Sequence, residues 1–120
     1  MSYYCTVRTN IEAPMDRTPA PISLATARGL PWKPGRSAEA FVDGDLEIRF
    51  TPRPTDGPQK PHTRDEVYIV AAGSGFYCID GKRTAVATGD ICFAAAHAEH
   101  GFEDFTDDFA IWIVFYGPEK

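Results

Sequence analysis

From residue 38 onward the chain is cut at short intervals by turn residues: Asp43-Gly44, Gly73-Ser74-Gly75, Asp80-Gly81, Gly89-Asp90 and Thr106-Asp107-Asp108. Between them lie the runs AEAFV, LEIRF, EVYIVAA, GFYCID, KRTAVA, ICFAAA, HGFEDF and FAIWIVFYG, all too short for long helices. Their β-branched and aromatic residues suit a pleated, half-buried surface. An Asp-Gly pair between two such runs favours a mirror-image hairpin turn, which needs positive φ. The punctuation therefore predicts about eight short strands in an all-β sandwich or barrel. Side chains alternate along a strand, so Glu66, Tyr68 and Val70 share one face of EVYIVAA. The last run is apolar on both faces, which places it at the centre of a sheet or beneath an arm or a partner subunit.

Ahead of the strands, residues 1–21 carry three prolines and little periodicity. They read as an extended N-terminal arm, packed on the body, on a second subunit, or free as a tail. SLATARGL predicts one short helix, with Ser23 as N-cap, Gly29 near its end, and Pro31 and Pro34 preventing its continuation. Residues 22–118 then form a single domain, the expected count for 120 residues. The net charge of −5, with twelve basic residues scattered among seventeen acids, argues against a nucleic-acid partner. Cys5, Cys78 and Cys92 are an odd set without CxxC spacing, so a reducing, cytoplasmic setting is the simpler expectation. The first ten residues lack a signal-peptide core, and no run approaches the roughly 18 apolar residues of a spanning helix. No membrane partner is expected.

Chemistry concentrates in PHTRDEVYIVAAGSG. His62 stands four residues before Glu66 and joins its face if the segment stays extended. Alone, His62 would be a surface or capping histidine, and Glu66 a buried carboxylate in need of partners. If His100 also turns inward, two imidazoles and one carboxylate meet. That donor set suits Fe(II), Zn(II), Mn(II) or Ni(II) and leaves positions open for water or substrate.

These residues carry a resemblance. The chain is similar to the cupin superfamily, and in particular to small single-domain cupins with a PHxRDEVYxVxxGxG first motif. The general first motif is G(x)5HxH(x)3–4E(x)6G; here Glu66 is followed by six residues and Gly73, and His62 stands at the second histidine. The first histidine falls on Lys60 and the leading glycine on Pro54. In the second motif, G(x)5PxG(x)2H(x)3N, Gly89 and His100 match, while Ala95, His97 and Asp104 replace proline, glycine and asparagine. The ending EHGFEDFTDDFAIWIVFYGP also resembles those small cupins. The resemblance covers residues 40–118 and implies a double-stranded β-helix (jelly-roll-like) barrel. It also implies one divalent metal inside, carried over here onto His62, Glu66 and His100.

Several accessory residues follow from the same reading. Lys60 would point outward or hold an anionic substrate group, because a protonated ammonium repels a metal. His97 is expected as an exposed turn residue, the sharper alternative being a replacement for the missing histidine. Asp104 would sit near the metal's outer sphere or simply by its turn. Tyr68 is a candidate hydrogen-bond donor or acid–base group. Arg49 shares a face with Glu47, expected to be solvated, or an anion anchor if that face lines the barrel. Arg64 and Asp65 are expected as a solvated or structural pair.

The function these features suggest is a small metal-dependent enzyme of dioxygenase, isomerase or lyase type, acting on a small oxygen-bearing molecule. The alternatives are a non-catalytic metal or small-molecule binding module and, in third place, a metal-free isomerase using His62 and Tyr68. A homodimer is expected from the apolar last strand, the arm and the family tendency.

Overall fold

The computed structural model describes residues 20–120. The arm expected over residues 1–21 thus lies, save its last two residues, outside the described residues. A short helix, α1 (Leu24–Arg28), comes first, its N-cap Ser23 Oγ accepting a hydrogen bond from the Thr26 N–H at 3.0 Å. Nine strands follow: β1 (Ala38–Asp43), β2 (Leu46–Thr51), β3 (Gly57–Gln59), β4 (Asp65–Ala72), β5 (Ser74–Ile79), β6 (Lys82–Ala87), β7 (Ile91–Ala94), β8 (His100–Glu103) and β9 (Ala110–Tyr116). They form two antiparallel sheets, in the orders β1-β2-β9-β4-β7 and β3-β8-β5-β6.

The turn chemistry explains the hairpins in detail. At Asp80-Gly81 both central residues have positive φ, 48° and 79°, and Ile79 pairs with Lys82. That is the mirror-image type I′ turn. Asp43 instead pairs with Leu46, so the central residues there are Gly44 and Asp45, and only Gly44 has positive φ (61°). The glycine therefore takes the first central position, where a type II′ turn wants it.

Eight of the strands coincide with the expected runs. The ninth, β3, is Gly57-Pro58-Gln59, which lacks both alternation and β-branched residues. It exists because β8 offers it a partner: Gly57, Pro58 and Gln59 pair with Phe102, Gly101 and His100. Proline is tolerated there because β3 is an edge strand.

Tyr68, Val70, Tyr77, Phe102, Phe109 and Ile111 lie at the heart of the core between the sheets. A second cluster sits on the outer face of the five-stranded sheet, where Ala27, Leu24 and Leu30 cover Phe50, Ala110 and Trp112. Five helical residues are too few for a stable isolated helix, so this packing holds α1 in place. Strand β9 lies between β2 and β4, with Ile111 and Ile113 inward and Trp112 against Phe50. Its apolar character on both faces is thus largely satisfied within one chain. Ile91 and Phe93, on the edge strand β7, remain 71% and 49% exposed. Among the described residues no helix is long and apolar enough to cross a membrane.

Cys78 and Cys92 are both free thiols. Burial, with Asp90 adding to it, pushes the Cys92 thiol up to about 11. Iodoacetamide at pH 8 is therefore expected to spare Cys92 in the native protein and to modify it only after unfolding. Peptide mapping that found native Cys92 alkylated would contradict its place in the core.

Candidate metal centre

The pairing register lays three rows of side chains across the inner face of the five-stranded sheet. Glu47, Phe115 and Glu66 form one row, Arg49, Ile113 and Tyr68 the next, and Thr51, Ile111 and Val70 the third. Glu66 is flanked on its other side by Ala94 of β7. On the opposing sheet His100 begins β8 between Gln59 and Ile79. His62 enters from the loop before β4, its ring edge-on to Phe115 at 5.1 Å.

The three residues that the sequence singled out converge. Their ligand atoms all lie within 4.8 Å of one another. His100 Nε2 stands 2.9 Å from Glu66 Oε1, and His62 Nε2 stands 3.6 Å from the same oxygen. Donors about 2.1 Å from one ion are separated by roughly 3.0–3.4 Å, so these spacings are close to those of a shared coordination sphere. Glu66 and His100 are buried, whereas the His62 side chain is 40% exposed.

Both Glu66 carboxylate oxygens are buried without a hydrogen bond of proper geometry. His100 comes close enough for an ion pair but is not aligned to donate well. A buried carboxylate left this way costs several kcal/mol, at order of magnitude, unless a cation or proton compensates it. An orphaned anion between two imidazoles fits a divalent cation.

The surrounding groups fix the histidines. His100 Nδ1 lies 2.8 Å from the Ala98 carbonyl, so its N–H donates there and Nε2 is directed into the barrel. Burial pulls the His100 pKa down, but the Glu66 carboxylate and the Ala98 carbonyl outweigh it, and the balance lies above the ordinary imidazole value. Tyr68 Oη lies 2.8 Å from His100 Nε2. Burial first, then the charge of Glu66, pushes the Tyr68 hydroxyl far above the usual phenol range. Tyr68 consequently remains a proton donor at working pH, and its partner is His100 rather than His62.

The accessory candidates separate cleanly. His97 adopts φ 69° at an exposed turn, with its Nε2 on the Lys120 carbonyl, and is not in the three-residue cluster. Its backbone N–H donates to the His62 carbonyl at 2.6 Å, so it holds the His62 loop instead of substituting for a ligand. Asp104 sits at an exposed turn and pairs with Arg83 at 2.5 Å, away from the cavity. Lys60 is exposed and lines the cavity mouth, with no partner among the described residues.

Two expectations need correction. Arg49 and Glu47 do not form a solvated face: both line the cavity, because the odd-numbered residues of β2 point inward. Arg49 is nevertheless engaged, donating to Ser37 Oγ at 2.6 Å, the Ser37 carbonyl at 2.7 Å and Glu47 at 2.7 Å. Nor do Arg64 and Asp65 pair. Arg64 bonds Glu47 and the Gly117 and Asp45 carbonyls, whereas Asp65 holds Lys120 and the Ala96 N–H. A chain Arg64–Glu47–Arg49 thus braces the wall beside the site. Alternation along β2 puts Glu47 beside Arg49, but Arg64 reaches Glu47 only through the pairing of β2, β9 and β4, which spacing does not reveal.

The site opens into a cavity of about 700 Å³ between the β2–β9–β4 face and the segment carrying β3. Gln59 lines it too, directly opposite His100 in the β3–β8 pairing. Nothing in the sequence marked that residue.

The strand order, the inward His and Glu side chains and the open barrel mouth define a class. The family model described as Cupin domain matches residues 46–116, more than half of the chain, and the protein belongs to the cupin family. An uncharacterised protein from Streptomyces coelicolor is 35% identical over 66 residues, spanning 55% of this chain and 63% of that protein. The matched stretch thus spans less than two thirds of that relative. Among solved structures, a protein of unknown function from Rhizobium leguminosarum aligns with a TM-score of 0.67 at 16% identity, covering 87% of this chain and 100% of that one. A cupin-2 domain containing protein from Shewanella frigidimarina aligns with a TM-score of 0.62 at 16% identity, covering 80% and 94%. The structural likenesses establish the double-stranded barrel and no reaction.

Proposed function

We propose that this chain is a metal-dependent cupin in which His62, Glu66 and His100 hold one divalent ion, and that it acts as a small metalloenzyme on a small oxygen-bearing molecule. The observation that carries the reading is the buried Glu66 carboxylate, lacking a hydrogen bond of proper geometry and set between two imidazoles. A bound divalent ion supplies Lewis-acid polarisation of a substrate oxygen or, if it is iron, a site for O2 chemistry. The chain's own groups orient the centre. Ala98 directs His100, while Phe115 and the loop clamp from His97 steady His62. Tyr68, held protonated, offers a donor beside the centre.

One observation favours the non-catalytic reading as runner-up. Arg49 and Glu47 are tied to each other, and Tyr68 to His100, so no described residue in the cavity is a spare general base.

The test is elemental analysis of native protein, His62→Ala and His100→Ala, all purified without chelator or histidine tag. Near one metal per chain in the native protein, lost in both variants, is expected. Little metal after reconstitution with Fe(II), Mn(II), Ni(II) and Zn(II) would sink the proposal. The ion found then directs the assay: O2 consumption for iron, isomerase and lyase screens for the others.

A further inference from the structure

The chain as a whole is acidic, with seventeen carboxylate residues against twelve Lys and Arg. The cavity reverses that balance. Its lining includes Arg36, Arg49, Arg53 and Lys60, and only two carboxylates, Glu47 and Glu66. Glu47 is consumed by Arg49 and Arg64, at 2.7 and 3.2 Å. Arg53 leans on the Asp107 carboxylate at 3.5 Å and over the Phe105 ring. Arg36 and Lys60 are exposed, and no described residue pairs with either side chain.

Two uncommitted cations around a concave, partly apolar site raise the local concentration of anions and leave donors for them. The location matters, because Lys60 directly follows Gln59, which stands opposite His100 on β3. Arg36 precedes Ser37, which Arg49 of β2 anchors within the same cavity lining. We infer that the cavity takes a small organic anion whose carboxylate or phosphate group is held by Arg36 and Lys60 while its other polar end reaches toward the His62–Glu66–His100 centre. This names the substrate class of the proposed site and rests on that reading for the second contact alone. The rim cations act with or without a metal.

The experiment is isothermal titration calorimetry with malonate, its neutral analogue malonamide, and inorganic phosphate, on metal-loaded and chelator-stripped protein. The variants are Lys60→Met, Arg36→Met and, as a control for net charge, Arg28→Met on the exposed face of α1. Either anion should bind at least about ten-fold more tightly than malonamide, and each rim variant should weaken it about ten-fold, in both metal states. Arg28→Met should change nothing, and added salt should weaken binding. Whichever of malonate and phosphate binds more tightly identifies the headgroup.

Equal binding of malonate and malonamide, no binding of either anion, or rim variants that behave like Arg28→Met would overturn the inference. The two readings fail separately. Anion binding by a protein that takes up no metal would overturn the metal centre and support the anion site. Binding only to loaded protein and indifferent to Lys60 and Arg36 would do the reverse.

Discussion

Replacing Glu66 with glutamine is expected to abolish metal binding while leaving the chelator-stripped barrel at least as stable as the native one. The amide has nearly the shape of the carboxylate but lacks its charge. As a donor it loses the ion outright, a larger effect than the roughly 10- to 100-fold penalty of changing a partner outside the coordination sphere. As a buried group it removes a burden, because both carboxylate oxygens sit in the interior without a hydrogen bond. His100, whose pKa is held up in part by Glu66, then returns toward the neutral form and can accept from the new amide. Relief of about 1–2 kcal/mol in the stripped protein is the expected scale. Elemental analysis and calorimetric melting with and without chelator measure both effects. A variant that keeps its metal, or that melts well below native in chelator, would mean that Glu66 is a structural carboxylate.

The second large effect concerns a residue with no role in binding. Gly101→Ala should cost about 3 kcal/mol or more and lower Tm by at least about 10 °C. A Cβ there would collide with the Gly57 carbonyl oxygen and come within 2.9 Å of its carbon and 3.0 Å of Pro58 Cα. All three are backbone atoms, so no side chain can swing aside. Strand β3 would have to leave β8, taking the Gln59 wall of the cavity with it. Gly81→Ala provides the contrast. It has positive φ in a type I′ turn but nothing within 4 Å, so only the backbone strain of about 1–2 kcal/mol applies. If the two variants melted alike, the close approach of β3 to β8 would be wrong.

Strands β4 and β5 were legible because alternation and flanking glycines are local signals, and β9 because a central strand is apolar on both faces. Strand β3 was not, since Gly-Pro-Gln carries no propensity and pairs only because Gly101 admits its backbone. The direction of the Arg49 face is hidden from the sequence for a similar reason. Alternation tells which residues share a face but not which face turns inward, and the packing of α1 on Phe50 decides that. Asp104 and His97 were ambiguous because a turn residue's direction depends on where the turn lies, and the structure gives them Arg83 and the His62 loop as partners.

The amino-acid sequence by itself determined the β architecture and the cupin membership and, through the motif resemblance, marked His62, Glu66 and His100 as candidate ligands, because turns, alternation and motif spacing are properties of neighbouring residues. The tertiary structure alone decided that the trio converges, that Tyr68 partners His100, and that Arg49 is spent on Ser37 and Glu47. It also decided that an acidic chain encloses a cavity lined by two exposed cations, Arg36 and Lys60, that no described residue pairs. Each of these depends on the register between strands far apart in the chain, and register is set by packing across the whole barrel and not by any segment alone.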